Sequence, residues 1–140
     1  MFQKNTKDLF QELIKETDIS EYFNKNEDEL LKSSFSQYLN DYMEKLSIRK
    51  SELIKKSDLN RNYGYEIING KKLPSRDKVI AISIGLELNI EETQRFLKIS
   101  GNRELYPRDK RDTAIIYGIT QKMSIFNINE FLFDKGFRVL

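Results

Sequence analysis

Positive charge is concentrated in one stretch of the chain, Arg49 to Lys78. This stretch holds nine basic and four acidic residues, a net charge of +5, in a protein of formal net charge +2. Residues 1–34 carry five basic and eight acidic residues, a net charge of −3. Such a concentration of basic side chains is expected of a surface that binds phosphate groups. A Lys-rich helical surface that only faces solvent has the same charge pattern.

Two residue types on which many enzymes depend are missing. The 140 residues include no cysteine and no histidine. Disulfides, thiolate metal sites and cysteine nucleophiles are therefore excluded, and the commonest general base and metal ligand is missing as well. Neighbouring carboxylates such as Glu91 and Glu92 point apart on a helix. We therefore expect a protein that is not an enzyme and that uses neither a cofactor nor a metal.

Two short helices joined by a tight turn are predicted inside the basic stretch. Apolar residues recur at spacings that let the two helices bury their inner faces against each other. These residues are Leu53, Ile54, Leu59, Ile67 and Ile68. Ser57 and Asp58 mark the turn, and Asn60 is a good N-cap for the second helix.

A basic loop follows the second helix. Asn69 and Gly70 are expected to end that helix with a residue in the left-handed conformation. Pro74 prevents the helix from continuing, and Ser75 can cap the next one. The pattern thus predicts a helix, a turn, a second helix, a basic loop and a further helix.

The rest of the chain is also predicted to be helical, which indicates an all-α protein. The predicted helices are 6–16 with Thr6 as its cap, a short helix at a capping box of Asp18 and Glu21, 36–45, 76–86, and a helix that begins at a capping box of Asn89 and Glu92 and ends at Gly101. The polar run 24–34 fits either a connector or the end of a helix. The N-terminal hairpin is expected either to pack on the domain or to act as a dimerisation or partner-binding arm.

Residues 107–140 repeat residues 76–101 at an offset of 35 positions. Eight identities carry this repeat: Arg76 and Arg111, Asp77 and Asp112, Ile80 and Ile115, Ile84 and Ile119, Ile90 and Ile125, Phe96 and Phe131, Leu97 and Leu132, Gly101 and Gly136. We predict a duplicated helical hairpin, appended to the domain and stacked on it. Chance similarity between two amphipathic hairpins is the alternative.

The segment from about residue 36 to residue 100 resembles the lambda-repressor-like (XRE) helix-turn-helix family. The matching residues are Glu52, Leu53, Ser57, Leu59, Ile67, Gly70, Lys71, Lys72, Pro74 and Ser75. The resemblance implies a five-helix domain over residues 35–101, with an acidic helical extension over residues 1–34 and a helical hairpin over residues 102–140. The second helix of the motif would enter the major groove of DNA.

The layout of the whole chain is also similar to a group of bacterial XRE-type proteins. The matching segments are Tyr63-Gly64-Tyr65, Pro74 to Lys78 and Leu105 to Asp112. This likeness implies DNA binding and no more specific function.

Three positions depart from the family pattern. Asp58 replaces the turn glycine, and Asp tolerates the left-handed conformation better than most residues. Ile54 stands where the family has a small residue, and Gly64 where it has a bulky one. Because these two positions face each other in the family fold, we expect a large side chain on one helix to fill the space left by the other.

The resemblance also implies which residues contact DNA. The base-reading positions fall on Arg61, Asn62, Tyr65 and Glu66. Arg61 can contact guanine, Asn62 adenine and Glu66 cytosine N4. The residues expected to hold phosphates are Lys50, Asn69, Lys71, Lys72 and Arg76.

The C-terminal hairpin has more apolar residues than one buried helix face requires. The candidate interface residues are Phe126, Phe131, Phe133 and Phe137. A core that buries all of them is the alternative. We expect a homodimer, because a single domain reads only one half-site.

These patterns predict sequence-specific binding of double-stranded DNA by a repressor-like transcriptional regulator. A helical protein-protein interaction module that keeps the fold without specific DNA binding is the alternative, favoured by the acidic Glu66 and the modest net charge. The longest apolar runs, such as Val79 to Ile84, are too short to span a bilayer, and the N-terminus lacks the apolar core of a signal peptide. We therefore expect a cytoplasmic location.

Overall fold

The structure, a computed structural model, describes residues 4–26 and 35–140. All regular elements in these two ranges are α-helices, as predicted, and neither range contains a strand. The chain divides into two compact units, Met1–Ser33 and Ser34–Leu140. Most of the predicted connector 24–34 lies outside the described residues, from residue 27 onward.

The smaller unit contains two helices, α1 (Thr6–Lys15) and α2 (Ile19–Lys25). The α1 helix is capped by Asn5, whose side chain accepts a hydrogen bond from the backbone N–H of Asp8. The predicted cap, Thr6, is instead the first helical residue. Asp18 caps α2 as predicted, but it accepts from the N–H of Ser20 rather than forming a capping box with Glu21.

Seven helices follow in the larger unit: α3 (Phe35–Leu46), α4 (Lys50–Lys56), α5 (Arg61–Ile68), α6 (Arg76–Gly85), α7 (Ile90–Ile99), α8 (Lys110–Thr120) and α9 (Ile125–Asp134). The α6 helix lies at the centre, packed against α4, α7 and α9. Its residues 79–85 are all buried. A helix that is apolar on every side is stable only when other elements cover it completely.

The α3 helix covers one side of α7 with aromatic rings. Phe35, Tyr38 and Tyr42 surround the ring of Phe96, with centroid distances of 5.9, 5.1 and 5.0 Å. Edge-to-face contacts of this kind add to the free energy gained from burial alone. Phe96 is completely buried as a result.

Several caps and turns of the larger unit lie where the sequence predicts them, although Ser75 occupies the N-cap position of α6 without a capping hydrogen bond from its side chain. Asn60 accepts a hydrogen bond from the N–H of Tyr63 at the start of α5. Asn89 and Glu92 form the predicted capping box at the start of α7. Asp58 and Gly70 adopt φ angles of +53° and +82°, so the turn before α5 and the end of α5 both use the left-handed conformation.

The second hairpin, α8 and α9, reproduces the first one, α6 and α7, at the predicted offset of 35 residues. The bounds of α7, Ile90–Ile99, shift onto those of α9, Ile125–Asp134. Glu87 and Lys122 occupy equivalent positions in the two hairpin turns, and both have a φ of +58°. The repeat is therefore present in the backbone as well as in the sequence.

Arginine–aspartate pairs join the two hairpins reciprocally. The guanidinium of Arg76 donates two hydrogen bonds to the carboxylate of Asp112, at 3.0 and 2.8 Å. The guanidinium of Arg111 donates two to the carboxylate of Asp77, both at 3.0 Å. Each arginine of one hairpin thus binds the aspartate of the other, which is the relationship that a local two-fold axis produces.

The chain segments after the two hairpins are held in equivalent ways. The Nε of Arg76 donates to the carbonyl of Arg103 at 2.8 Å, and that of Arg111 donates to the carbonyl of Arg138 at 2.9 Å. Burial of Asp112 would raise the pKa of its carboxyl, but hydrogen bonds from Arg76 and from the Tyr106 N–H outweigh this and lower it. The pKa of Asp77 is likewise lowered, because Arg111 and Arg138 outweigh its burial.

Candidate nucleic-acid interface

The α5 helix buries one face and exposes the opposite one. Gly64, Ile67 and Ile68 form the buried face. Of the predicted base-reading residues, Arg61 and Asn62 are exposed, whereas Tyr65 and Glu66 are half-buried and Tyr65 packs in part against the core. Their spacing at i, i+1, i+4 and i+5 brings them onto one helical surface. The structure thus collects these four side chains where a ligand could contact them together.

Arg61 and Tyr65 interact with each other on this surface. The guanidinium carbon of Arg61 lies 5.9 Å from the centroid of the Tyr65 ring. Arg61 itself is exposed and donates no hydrogen bond to another described residue. A cation over an aromatic face is held in place while its N–H groups stay available for acceptors outside the chain.

The basic loop after α5 is hydrogen-bonded to the last turn of that helix. The backbone N–H groups of Lys71 and Lys72 both donate to the carbonyl of Glu66, at 2.8 and 3.2 Å. Gly70 makes this tight return possible through its left-handed conformation. Both lysines are exposed, so the loop holds two ammonium groups beside α5.

One carboxylate reduces the positive charge of this surface. The Nζ of Lys72 lies 3.8 Å from Oε2 of Glu66, whose side chain is 38% exposed. A salt bridge between side chains this exposed contributes little stability, typically up to about 1 kcal/mol. It can therefore be replaced by contacts to another charged group.

Lys50 and Asn69 join the beginning of α4 to the end of α5. The Nζ of Lys50 donates to Oδ1 of Asn69 at 3.0 Å, and both residues are exposed. With Lys71 and Lys72, they flank the outer face of α5. The predicted phosphate-binding residues therefore lie next to the predicted base-reading residues, with the exception of Arg76.

Arg76 has a different role in the structure. Its side chain is only 15% exposed. It donates two hydrogen bonds to Asp112 and one each to the carbonyls of Arg103 and Glu104. Because these bonds occupy the guanidinium within the chain, Arg76 is not available to hold a phosphate in this structure.

The four phenylalanines predicted as an interface separate into two pairs. Phe131 and Phe137 are partly buried and pack against the core. Phe126 and Phe133 are 57% and 74% exposed. Only the second pair is available to a partner.

Leu73 is a neighbour of the interface that the sequence interpretation did not include. It is 68% exposed, between the loop lysines and Pro74. An apolar side chain this exposed beside basic residues could contact a thymine methyl or a sugar. Its position inside the basic loop is the signal that could have identified it.

Residues 4–26 and 35–140 contain no group of three or more His, Cys, Asp or Glu side chains that could hold a metal ion. No helix in these ranges has the length and apolar composition that crossing a membrane requires. Comparison of the chain with protein-family models, with curated proteins and with solved structures found no match.

Proposed function

We propose that this chain is a helix-turn-helix protein of the lambda-repressor-like type that binds double-stranded DNA, with α5 as its recognition helix. The observation that carries the proposal is the clustering of Arg61, Asn62, Tyr65 and Glu66 on the outer face of α5. In this proposal the protein is a non-enzymatic cytoplasmic transcriptional regulator, and residues 35–101 form the DNA-binding domain.

The dimensions of α5 fit the proposed site. With its side chains, an α-helix such as α5 has a diameter of about 10–12 Å. The major groove of B-DNA is about 12 Å wide and accepts a single α-helix. With α5 in the groove, the loop beside it would lie near the phosphates that line the groove.

The side chains divide into two chemical groups. Arg61 offers paired donors that match guanine O6 and N7, and Asn62 offers a donor and an acceptor that match adenine. Lys50, Lys71 and Lys72 offer ammonium groups, which bind phosphates without reading the sequence. The arrangement therefore supports specificity from α5 and affinity from its flanks.

Selection from a pool of random DNA duplexes tests the proposal. The purified chain should enrich one sequence, and its affinity for that sequence should fall steeply with salt concentration. Arg61→Ala should cost about 1–3 kcal/mol and relax the preference at one base pair. Lys71→Ala should weaken binding to all sequences and reduce the salt slope by about 1.

A matched lysine variant separates specific contacts from general charge. Lys135 is an exposed lysine at the end of α9, outside the proposed surface. Lys135→Ala removes the same charge as Lys71→Ala and should leave both affinity and salt slope nearly unchanged. Equal effects of the two variants, or no enriched sequence, would refute the proposal.

A protein-protein interaction module is the second candidate. It is supported by the Glu66–Lys72 pair, which removes positive charge from the face of α5, and by the exposure of Phe126 and Phe133. This candidate predicts that Phe133→Asp abolishes the phenotype that the wild-type chain produces in cells, while Arg61→Ala leaves that phenotype intact. The DNA-binding proposal predicts a loss with Arg61→Ala.

A further inference from the structure

A groove lies where the turns of the two hairpins meet. It has a volume of about 440 Å³. This volume is within the range of about 300–1,000 Å³ that is typical of sites for small molecules. The turn between α6 and α7 and the turn between α8 and α9 line most of the groove, and Lys56, the last residue of α4, also lines it.

The two turns contribute equivalent residues to the groove. Four apolar side chains line it in pairs that are 35 positions apart, Ile84 with Ile119 and Leu88 with Met123. The backbone of each turn also closes in the same way. The N–H of Leu88 donates to the carbonyl of Ser83 at 3.0 Å. The N–H of Met123 donates to the carbonyl of Gly118 at the same distance. The groove is therefore a product of the packing of two similar hairpins.

The deeper part of the groove is apolar. Its buried lining residues are Ile84, Leu88, Ile119 and Ile125. Met123 is half-buried, and its flexible thioether can adapt to ligands of different shape. Phe126 adds an aromatic ring that is 57% exposed. An alkyl or aryl group that covers these side chains would be bound by the hydrophobic effect.

The charged residues of the groove carry a net charge of +1. Lys56 and Lys122 supply two ammonium groups, and Glu87 supplies one carboxylate. The Nζ of Lys56 lies 3.5 Å from Oε1 of Glu87, in a pair so exposed that it contributes little stability. Lys122 forms no ion pair with a carboxylate of residues 4–26 or 35–140. Its ammonium group is therefore available to an anion that enters the groove.

The residue at position 122 determines the sign of this net charge. Glu87 and Lys122 are equivalent in the two turns, and both have a φ of +58°. A glutamate in both turns would leave Lys56 facing two carboxylates, a net charge of −1. The second turn instead has a lysine, and the groove combines an apolar interior with an excess of one positive charge.

We propose that this groove binds a small amphipathic carboxylate, with its alkyl or aryl body on the apolar lining and its carboxylate at Lys122 and Lys56. A single negative charge matches the net charge of +1, which favours a carboxylate over a doubly charged phosphate. The proposal goes beyond DNA binding and does not depend on it.

Titration calorimetry of the full chain with two probes tests the chemistry of the site. Sodium octanoate and octylammonium chloride have the same alkyl chain and opposite charges, and both are used below the concentrations at which they form micelles. Octanoate should bind at one saturable site and more tightly than octylammonium. No saturable binding at millimolar octanoate, or an equal or reversed preference, overturns the proposal.

Reversing the charge at Lys122 should reverse this preference. Lys122→Glu should weaken octanoate binding about tenfold, because an ion pair becomes a repulsion, and octylammonium should become the tighter ligand. The variant should keep the melting temperature of the wild type, since Glu87 shows that glutamate fits the same backbone conformation. An unchanged preference in a folded Lys122→Glu variant overturns the proposal.

The matched control is Lys110→Glu. Lys110 is exposed at the first residue of α8, whereas Lys122 follows the end of that helix. The eleven residues of α8 separate the two positions by about 16 Å. At an ionic strength of about 0.1 M, charges this far apart on the surface are largely screened. Lys110→Glu should therefore leave the affinity for octanoate nearly unchanged, and a loss equal to that of Lys122→Glu would overturn the proposal.

A fluorescent reporter locates the bound probe. The chain contains no tryptophan, so Phe126→Trp introduces a single indole at the groove. Octanoate should shift the indole emission to shorter wavelength, with the same dissociation constant as calorimetry gives for this variant. Calorimetric binding that leaves the emission unchanged would place the ligand elsewhere and overturn the proposal.

Discussion

A Cβ atom placed on Gly64 of α5 would lie 2.7 Å from Cγ1 of Ile54 on α4. This distance is shorter than van der Waals contact, so Ile54 occupies the space that a side chain at Gly64 would need. The same relationship joins Gly118 on α8 to Ile128 on α9, again with a distance of 2.7 Å to Cγ1. Both helix pairs approach closely because a glycine on one helix accepts an isoleucine from the other.

We expect Gly64→Leu to destabilise the fold by about 1–3 kcal/mol, because the larger side chain overfills the space beside Ile54. Ile54→Ala alone should cost about 2–5 kcal/mol by leaving a cavity. Combined, the two changes restore the volume, so the double variant should be more stable than the sum of the single effects implies. Urea unfolding of all four proteins measures the coupling, and strictly additive effects would rule it out.

The contact between Gly64 and Ile54 was predictable, because the two residues depart in opposite directions from the pattern of the family that the sequence resembles. The second hairpin was also predictable, because eight identities at one offset are read directly from the sequence. The pairing of Arg76 in the first hairpin with Asp112 in the second was not predictable. Sequence spacing reveals that an Arg-Asp pair recurs, but only the packing of the two hairpins determines which carboxylate each guanidinium meets.

The exposure of Phe131 shows a related limit of sequence patterns. Its repeat counterpart, Phe96, is completely buried because α3 covers it. Within residues 35–140, the ring of Phe131 instead contacts Tyr117, at 5.7 Å between centroids, and is only partly buried. An identical residue in a repeated motif can therefore differ in burial, since burial depends on elements outside the repeat.

The two reciprocal ion pairs should differ in their contribution to stability. Asp112 has a side chain that is 2% exposed, and Asp77 has one that is 21% exposed. Asp112→Ala leaves the guanidinium of Arg76 without its carboxylate in a dry environment, which typically costs about 3–5 kcal/mol. Arg76 and Arg111 are about equally buried, at 15% and 14% exposed, but Asp77 is the more exposed carboxylate. Asp77→Ala should therefore cost less, because water can take the place of the lost carboxylate beside Arg111. Chemical denaturation compares the two variants, and an equal or reversed order would contradict this interpretation.

Variants of Arg76 and Lys71 should separate effects on stability from effects on DNA binding. Arg76→Ala removes four hydrogen bonds inside the chain and should lower the free energy of unfolding. The DNA affinities are compared under conditions in which the variants are folded. The salt slope of Arg76→Ala should equal that of the wild type, whereas the salt slope of Lys71→Ala should be smaller. A reduced slope for Arg76→Ala would return this residue to the phosphate-binding set.

Glu66→Gln should strengthen the binding of DNA sequences other than the preferred one. The substitution removes the negative charge from the outer face of α5 and frees Lys72 from the ion pair at 3.8 Å. Affinity should rise several-fold at low salt, with a steeper salt dependence, because one more ammonium group can displace counterions. Fluorescence anisotropy with two unrelated duplexes measures this change. If Glu66 instead accepts a hydrogen bond from a base, affinity for the preferred sequence will fall.

Stability should depend on pH mainly in the acidic range. The chain has no histidine, so no side chain has an ordinary pKa between pH 5 and pH 8. The pKa values of Asp77 and Asp112 are lowered in the folded state because their arginine partners outweigh the effect of burial. The stabilisation by these pairs is therefore complete above the ordinary carboxyl pKa of about 4.

As the pH falls below that value, the unfolded chain binds protons before the folded one, and the stabilisation is lost progressively. We expect a flat free energy of unfolding from pH 8 to about pH 5, and a decrease below about pH 4. The variant with Asp77→Asn and Asp112→Asn should be less stable at neutral pH but should lose less stability on acidification. Urea titrations at a series of pH values compare the two proteins. Parallel curves would show that other carboxyl groups control the acid sensitivity of the fold.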